Sequence, residues 1–381
     1  MRKIYLDNAA ATPTDPLVLK AMAQAAKLYG NPSSFNDAGR AARTELEKAR
    51  KTVANFLGAR SDEIVFTASG SEANNLALLG TLRSFKNGFV LTTPIEHQSV
   101  LETLKKLPLK NKYIPVVKEG SVDLKALEKM LANGCRLVSV MYANNEIGTI
   151  EPVKAIAKVI KNFNQRTGSK VLFHVDACQA AGYLDMNVQR LGADLLTFNG
   201  SKVYGPHGTG VLYVRRSTPV QSLVLGGGQE HGLRAGTENV SAAVGLAKAI
   251  TLIKPSEAKR IAALRDYAMG KIKKELPEAI LNGPEGDKRL GNNINICVPG
   301  LTSEVLLLEL DKYGIYAGSG SACTAHSVEP SHVLKAIGVP AKYINGALRF
   351  SLGRDTTKAD LDYLVKTLKK ITAELRKRYK S

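Results

Sequence analysis

Cysteine is scarce in this 381-residue chain, with four residues at 135, 178, 297 and 323 and no Cys-x-x-Cys pair among them. Thiols so sparse and so widely spaced suggest neither a disulfide framework nor a zinc site, and they are expected to be reduced. Long apolar runs are missing as well. None approaches the ~18 residues that a membrane span needs, and the opening Met-Arg-Lys-Ile-Tyr-Leu-Asp-Asn has no apolar signal core. These absences predict a cytoplasmic protein without membrane contact. Acidic residues are also in short supply, 34 against 53 Lys and Arg, for a net charge of +19. That balance attracts anionic cofactors, acidic partners or nucleic acid. The excess is dispersed, however, and its densest stretches (Lys105 to Lys112, Lys271 to Lys274, Lys369 to Lys380) read as solvated helix faces and connections. Direct nucleic-acid binding is therefore disfavoured against a modest basic docking surface. What is present is ordinary for a globular protein: 44% hydrophobic and 23% charged residues, in a chain long enough for two domains.

Apolar residues return at three- and four-residue spacing over 16–28, 39–57, 71–85, 97–106, 123–132, 152–167, 240–252, 257–275, 302–313 and 358–379, which predicts helices there. Between them lie β-rich runs: Ile64 to Thr67, Gly88 to Thr92, Leu137 to Met141, Val171 to Val175, Leu195 to Phe198 and Gly210 to Val214. Strand and helix alternate from about residue 60 to 215, the pattern of an α/β fold whose mostly parallel sheet is covered on both faces. After about residue 254 the order becomes a long helix, a strand over 292–298, a helix, a Gly/Ser loop, a strand near 347–352 and a last helix. This predicts a smaller α+β domain, with Lys254-Pro255-Ser256 as the boundary and Pro opening the next helix.

In an open α/β sheet, ligands gather beyond the carboxyl ends of the strands, so the residues directly after the β-rich runs are the functional candidates. Ala68-Ser69-Gly70-Ser71-Glu72 follows one run and opens a helix, where small residues and amides suit a phosphate, although Ser and Gly also start most helices without one. His174-Val175-Asp176 ends another run. Its Asp can keep a pyridinium nitrogen protonated or merely cap a helix. Asn199-Gly200-Ser201-Lys202 follows the next run; a lone lysine is usually a solvated charge, but one among small residues before Gly-Pro can hold a carbonyl cofactor as a Schiff base. Cys323, on the Gly/Ser stretch Gly318-Ser-Gly-Ser-Ala-Cys323, can act as a mobile nucleophile. Together, Lys202 and Cys323 point to sulfur chemistry on an amino acid.

The motif set as a whole resembles that of a known family. It comprises Tyr5 to Pro13, Gly30 to Ser34, Ser69 to Asn75, Glu96-His97, Asn144 to Gly148, His174 to Gln179, Lys202 to Pro206, Gly226 to Glu230, Arg234 to Asn239, Gly318 to Cys323 and Arg349 to Gly353. In register from residue 4 to about 365, it is similar to the cysteine desulfurases, pyridoxal-phosphate enzymes of the class V aminotransferase group. The resemblance implies the fold type I (aspartate-aminotransferase-like) architecture. It assigns 14–254 to a large cofactor-binding domain, and 1–13 with 255–381 to a small domain carrying the cysteine loop and Arg349.

The same resemblance implies the site roles. Lys202 holds pyridoxal 5'-phosphate and moves the substrate α-proton, Asp176 pairs with the pyridinium nitrogen, Gln179 bonds the phenolic oxygen, and His97 stacks on the ring and assists proton transfer. Gly70 and Ser71 match phosphate contacts. Thr237 matches one made from a partner subunit, which implies a homodimer. Arg349 pairs with the carboxylate of L-cysteine as a bidentate fork, with Asn145 at both cofactor and substrate and Asn8 at the substrate. Cys323 takes the sulfur as a persulfide and leaves alanine, helped by a lowered pKa; His326 is a candidate for that push or for acid catalysis. Cys135, Cys178 and Cys297 are expected to be structural, Cys178 as a small filler beside the cofactor. The span Cys323 to Pro330 resembles the longer catalytic loop of the housekeeping and nitrogen-fixation branch, which implies direct delivery of sulfur to an acceptor protein, an iron-sulfur scaffold or a tRNA-thiolation protein.

The match departs in places. Where family members carry Ser-Gly-His-Lys, this chain has Asn199-Gly200-Ser201-Lys202; Asn199 and Ser201 can still hydrogen-bond phosphate, but neither brings an imidazolium. Asn36 replaces a common histidine, and the sequence stops at Lys380-Ser381 without the tail that some members use to dock a scaffold, so the acceptor stays open. The competing expectations are a selenocysteine lyase, a class V aminotransferase, which needs no such cysteine, and a non-catalytic basic binding partner, which leaves the Lys202, Asp176, His97, Cys323 and Arg349 set unexplained.

Overall fold

Seven strands form the central sheet of the computed structural model, which describes residues 3–320 and 330–380. In chain order the strands are β1 (Ile4–Tyr5), β2 (Ile64–Thr67), β3 (Phe89–Thr92), β4 (Lys110–Tyr113), β5 (Cys135–Met141), β6 (Leu172–Asp176), β7 (Leu195–Asn199), β8 (Gly210–Val214), β9 (Ile280–Leu281), β10 (Asn293–Cys297), β11 (Ile315–Tyr316) and β12 (Ala347–Ser351). The large sheet runs β2-β8-β7-β6-β5-β3-β4. Strands β7, β6, β5, β3 and β4 pair in parallel, and β8 is antiparallel to both its neighbours. The mixed α/β fold predicted from the sequence is the one observed.

Both faces of this sheet are buried away from its β4 edge, which is why its inner strands read as largely apolar runs. Side chains alternate across a strand. Along β5, Val138 and Val140 therefore join one core with Phe173, Leu196 and Phe198, while Leu137 joins the other with Val90, Leu195 and Leu212. A helix over Val153–Thr167 covers the first core with Val153, Ile156, Ile160 and Phe163, and it stops at Gly168, whose φ of 71° closes the last turn in the left-handed region. The second core is covered by Leu76, Leu78 and Leu104. Each aliphatic side chain fully buried in this way contributes about 1.5–3 kcal/mol.

Strand β4 corrects the sequence analysis, which took Lys110 and Lys112 for part of a solvated connection. Its Lys-Asn-Lys-Tyr has no apolar alternation because it is an edge strand against β3, and lysines are the usual means of blunting such an edge. Lys112 Nζ lies over the Phe89 ring, 3.9 Å from its centroid.

A separate core gathers around the antiparallel sheet β12-β10-β9. The helix Pro255–Glu275 opens with Pro at its first turn and buries Ile261, Ala268, Met269 and Ile272 there. The chain start belongs to the same core, since β1 pairs with β11 and Ile4 and Leu6 pack among Ile294, Leu348 and Phe350. Two further bridges, Asp7 with Ser351 and Gly318 with Arg349, bring these segments beside the open end of the large sheet. No helix among the described residues is long and apolar enough to cross a membrane.

Candidate active site

The carboxyl ends of the parallel strands meet at one cavity of about 180 Å³. Asp176 closes β6, Asn199 closes β7, and Ser69, His97 and Asn145 follow β2, β3 and β5. All of them line the cavity, together with Gly70, Ser71, Gln179, Lys202 and Arg349. Of the residues proposed from the sequence, these come together where an open α/β sheet places its ligands.

The wall after β2 is a helix start. Ser69 is its cap, its Oγ accepting from the Glu72 amide at 3.0 Å, which leaves Gly70 and Ser71 as first-turn amides without an intrahelical acceptor. Glycine is required at position 70: a Cβ there would lie 2.7 Å from Cys178 Sγ and 3.0 Å from Asn199 Nδ2. Gly70→Ala is expected to cost about 1–3 kcal/mol by overpacking and to weaken anion binding at the cavity. Tm together with phosphate titration measures both, and a Cys178→Ala background should recover part of the loss.

The Asp176 carboxylate is buried and held at both oxygens: Oδ1 accepts from the Cys178 amide at 3.0 Å and Oδ2 from Asn74 Nδ2 at 2.7 Å. Asn74 also donates to Ser99 Oγ at 2.9 Å. His97 caps the helix Gln98–Lys105, its Nδ1 accepting from the Ser99 amide at 3.1 Å and lying 2.8 Å from Ser99 Oγ. One chain of contacts thus runs from Asp176 through Asn74 and Ser99 to His97. Sequence reasoning missed Asn74 and Ser99, which carry no motif chemistry of their own. Burial, reinforced by the charge of Asp176, holds the Cys178 thiol well above its ordinary pKa and therefore unreactive. Gln179 spends its amide on the carbonyl of Ala9, at 3.0 Å.

Behind this wall, burial drives the Glu96 carboxyl well above its usual range, with Asp176 adding to the effect and hydrogen bonds from Thr93 Oγ1 and the Met141 amide opposing it. Burial likewise pushes Glu151 up to about 8, against the hydrogen bond from the Val122 amide, and lowers His174 to about 4. His174 is therefore neutral at pH 7.

Lys202 ends a single tight turn, Gly200–Lys202, and its Nζ donates to the Ala10 carbonyl. Gly200 is needed in that turn, since a Cβ would meet Thr209 Oγ1 at 2.3 Å and Pro206 O at 2.5 Å. The amide of Asn199 also faces the cavity; its Oδ1 is buried with no hydrogen-bond partner among the described residues.

Arg349 is only 1% exposed. Nη1 donates to the Asn145 carbonyl at 3.0 Å and Nη2 to Asp7 Oδ1 at 2.8 Å, while Nε is buried and without a partner among the described residues. Asp7 was not among the sequence candidates; it stands in the first motif, but its register against β12 is visible only in the fold.

Three proposed residues do not line this cavity. Asn8 is buried behind it, giving Nδ2 to the Ser351 carbonyl at 2.9 Å, and Ser201 offers its carbonyl to the amide of Thr12 at 2.8 Å. Thr237 is exposed on another hollow, beside Arg234 and Glu238. Cys323 and His326 lie outside the described residues. Among the described residues, no group of three or more His, Cys, Asp or Glu side chains is gathered as a metal site.

The family model of aminotransferase class-V matches residues 4–364. The chain belongs to the aminotransferase class-V family. Within this family it is similar to the cysteine desulfurase IscS of Dictyoglomus turgidum, 44% identical over 98% of this chain and 96% of that one. Among solved structures it superposes on a NifS-like protein with a TM-score of 0.90 at 36% identity, covering 98% of this chain and all of the other. It also superposes on SspA in complex with cysteine, with a TM-score of 0.80 at 31% identity over 93% of this chain and all of the other. As a class-V chain it carries its cavity where the β6 and β7 ends present Asp176 and Lys202 side by side in one lining.

Proposed function

We propose that the protein is a pyridoxal-phosphate-dependent cysteine desulfurase that converts L-cysteine to L-alanine and takes the sulfur onto Cys323. The observation that carries this reading is a single cavity uniting Lys202, Asp176, His97 and Arg349, with the segment leading to Cys323 paired onto Arg349 through Gly318. Relatives named cysteine desulfurase at 40–44% identity support it.

The residues present fit pyridoxal 5'-phosphate. The missing Cβ at Gly70 and the first-turn amides of Gly70 and Ser71 make a polar cradle for an anion. Lys202 would supply an amine for the carbonyl and Asp176 a carboxylate acceptor for the protonated ring nitrogen. When bound, the cofactor supplies a cationic ring that accepts the electron pair released at the substrate α-carbon. Asp176, locked by Asn74 and the Cys178 amide, keeps that ring protonated. Lys202 Nζ takes and returns the α-proton, and His97, oriented by Ser99, covers the ring. Arg349 fixes the substrate carboxylate, with Asn145 alongside.

In the sulfur step the Cys323 thiolate attacks the substrate sulfur. An S–S bond forms and the Cβ–S bond breaks. Its electron pair stays on Cβ, which is protonated to give the methyl group of alanine, and the enzyme is left as a persulfide. The reading includes a homodimer in which Thr237 reaches the partner's site, and Thr237 is exposed as that requires. The proposed setting is the cytoplasm, with an iron-sulfur scaffold or a tRNA-thiolation protein as sulfur acceptor.

L-cysteine turnover by the cofactor-loaded protein tests the reading. Alanine and sulfide are expected in equal amounts under reducing conditions, both lost in Cys323→Ala while its cofactor absorbance remains. A loaded wild type that makes no alanine would direct the search to selenocysteine or amino-acceptor substrates.

A further inference from the structure

Glu146 has no part in the chemistry above, yet it is only 2% exposed and tightly held. Its amide donates to Asn144 Oδ1 at 2.8 Å, and its carbonyl accepts from Asn293 Nδ2 at 3.0 Å and Asn295 Nδ2 at 3.1 Å. The preceding residue, Asn145, gives its carbonyl to Arg349. A backbone fixed at so many points presents its carboxylate in one place.

That place lies between the two ends of the 321–329 segment that carries Cys323. On the incoming side, Gly318 and Arg349 exchange backbone hydrogen bonds of 3.0 and 2.6 Å. Two residues on, buried Gly320 packs directly on Glu146, since a Cβ there would lie 3.2 Å from Oε2 and 3.6 Å from Cδ. On the outgoing side, Ser331 Oγ donates to the same Oε2 at 2.5 Å while accepting from the Leu334 amide at 3.1 Å. His332 then places Nε2 2.9 Å from the carbonyl of Glu96, the residue before His97. One carboxylate oxygen therefore bonds the outgoing stem and fills the space where a side chain on the incoming stem would stand.

We propose that Glu146 is a positioning residue for sulfur transfer, its carboxylate clasping the Gly320 stem to Ser331 and so fixing where the Cys323 segment departs relative to Arg349. The inference rests on the desulfurase reading. A nucleophile has to come within about 3–3.5 Å of its target, and a displacement of about 1 Å lowers the rate roughly a hundredfold. A clasp at the base of the segment acts on that distance and leaves cofactor and substrate binding intact.

The test compares Glu146→Ala, Glu146→Gln, Ser331→Asp and the double variant Glu146→Gln/Ser331→Asp with wild type, all loaded with pyridoxal 5'-phosphate. Ser331→Asp keeps a helix cap but sets a second carboxylate against Glu146, and the double variant replaces that repulsion with an amide donor. Glu146→Ala and Ser331→Asp are expected to lower kcat for alanine about ten- to a hundredfold. KM for L-cysteine and cofactor absorbance should stay near wild type, Glu146→Gln should retain most of the activity, and the double variant should regain it. A second readout is the alkylation rate of Cys323 by iodoacetamide in cofactor-free protein, followed by peptide mass spectrometry; it should change in the same two variants and return in the double. Wild-type kcat and alkylation in both variants overturn the clasp. Losses that track Tm or cofactor loading, without rescue in the double, overturn it too, by reducing Glu146 to a structural role. A wild type that makes no alanine sinks the desulfurase reading instead, and the alkylation rates still decide whether the clasp exists.

Discussion

Lys202→Ala is expected to lower kcat for alanine formation from L-cysteine by roughly a thousandfold or more, the range that loss of a positioned proton-transfer group covers. Lys202 has two tasks in the proposed chemistry, anchoring a carbonyl cofactor and moving the α-proton, so a single truncation removes both. The variant should still fold. The side chain is only half-buried, and its hydrogen bond to the Ala10 carbonyl is to backbone. Lys202→Arg should not restore activity, because a guanidinium cannot be deprotonated to serve as a base. Quantifying alanine in single turnover, with circular dichroism of each variant, checks the prediction. Near wild-type alanine from a folded Lys202→Ala would remove the amine from the mechanism.

The legible part of this molecule is the part in which one local rule decides the outcome. Val138, Val140, Phe173 and Leu196 announce strands because both faces of the sheet are covered, and Gly168 and Pro255 mark a helix end and a helix start by backbone geometry alone. Lys110 to Tyr113 escaped notice because an edge strand has one neighbour and needs no apolar alternation. The cavity divides along the same line. Residues at or just past strand ends, such as Asp176, Asn199 and Lys202, are marked by position, whereas Asn74, Ser99 and Asp7 matter through contacts made across 102, 25 and 342 residues of sequence. No spacing pattern encodes such separations. Glu146 belongs with them: within its motif it is one polar residue among several, and only folding sets its carboxylate between Gly320 and Ser331.

Arg349→Ala is expected to lower kcat/KM for L-cysteine at least about thirtyfold, which corresponds to the 2 kcal/mol lower end of what truncating a buried, hydrogen-bonded charge costs. The geometry explains why a lysine should not substitute. Nη1 and Nη2 diverge to two fixed acceptors, the Asn145 carbonyl and Asp7 Oδ1, and a single ammonium cannot hold both while meeting a carboxylate. Asp7 thereby sets the plane of the guanidinium, and the Gly318–Arg349 backbone pairing ties that plane to the chain leading to Cys323. A substrate carboxylate bound there fixes the amino acid at one end. Its sulfur then has to lie within reach of a nucleophile on the chain that bridges to Arg349 at Gly318. Loss of uniform substrate binding raises KM and leaves kcat nearly unchanged, whereas loss of orientation lowers kcat. Because Arg349 holds the substrate and anchors the incoming stem through its backbone, the side-chain truncation should appear mainly in KM, with the backbone bridge intact. Asp7→Asn, which keeps the neighbour but drops its charge, should raise KM less than Arg349→Ala does. Steady-state kinetics on the three proteins separates the cases, and a fall in kcat alone, with KM unmoved, would take the substrate carboxylate away from Arg349.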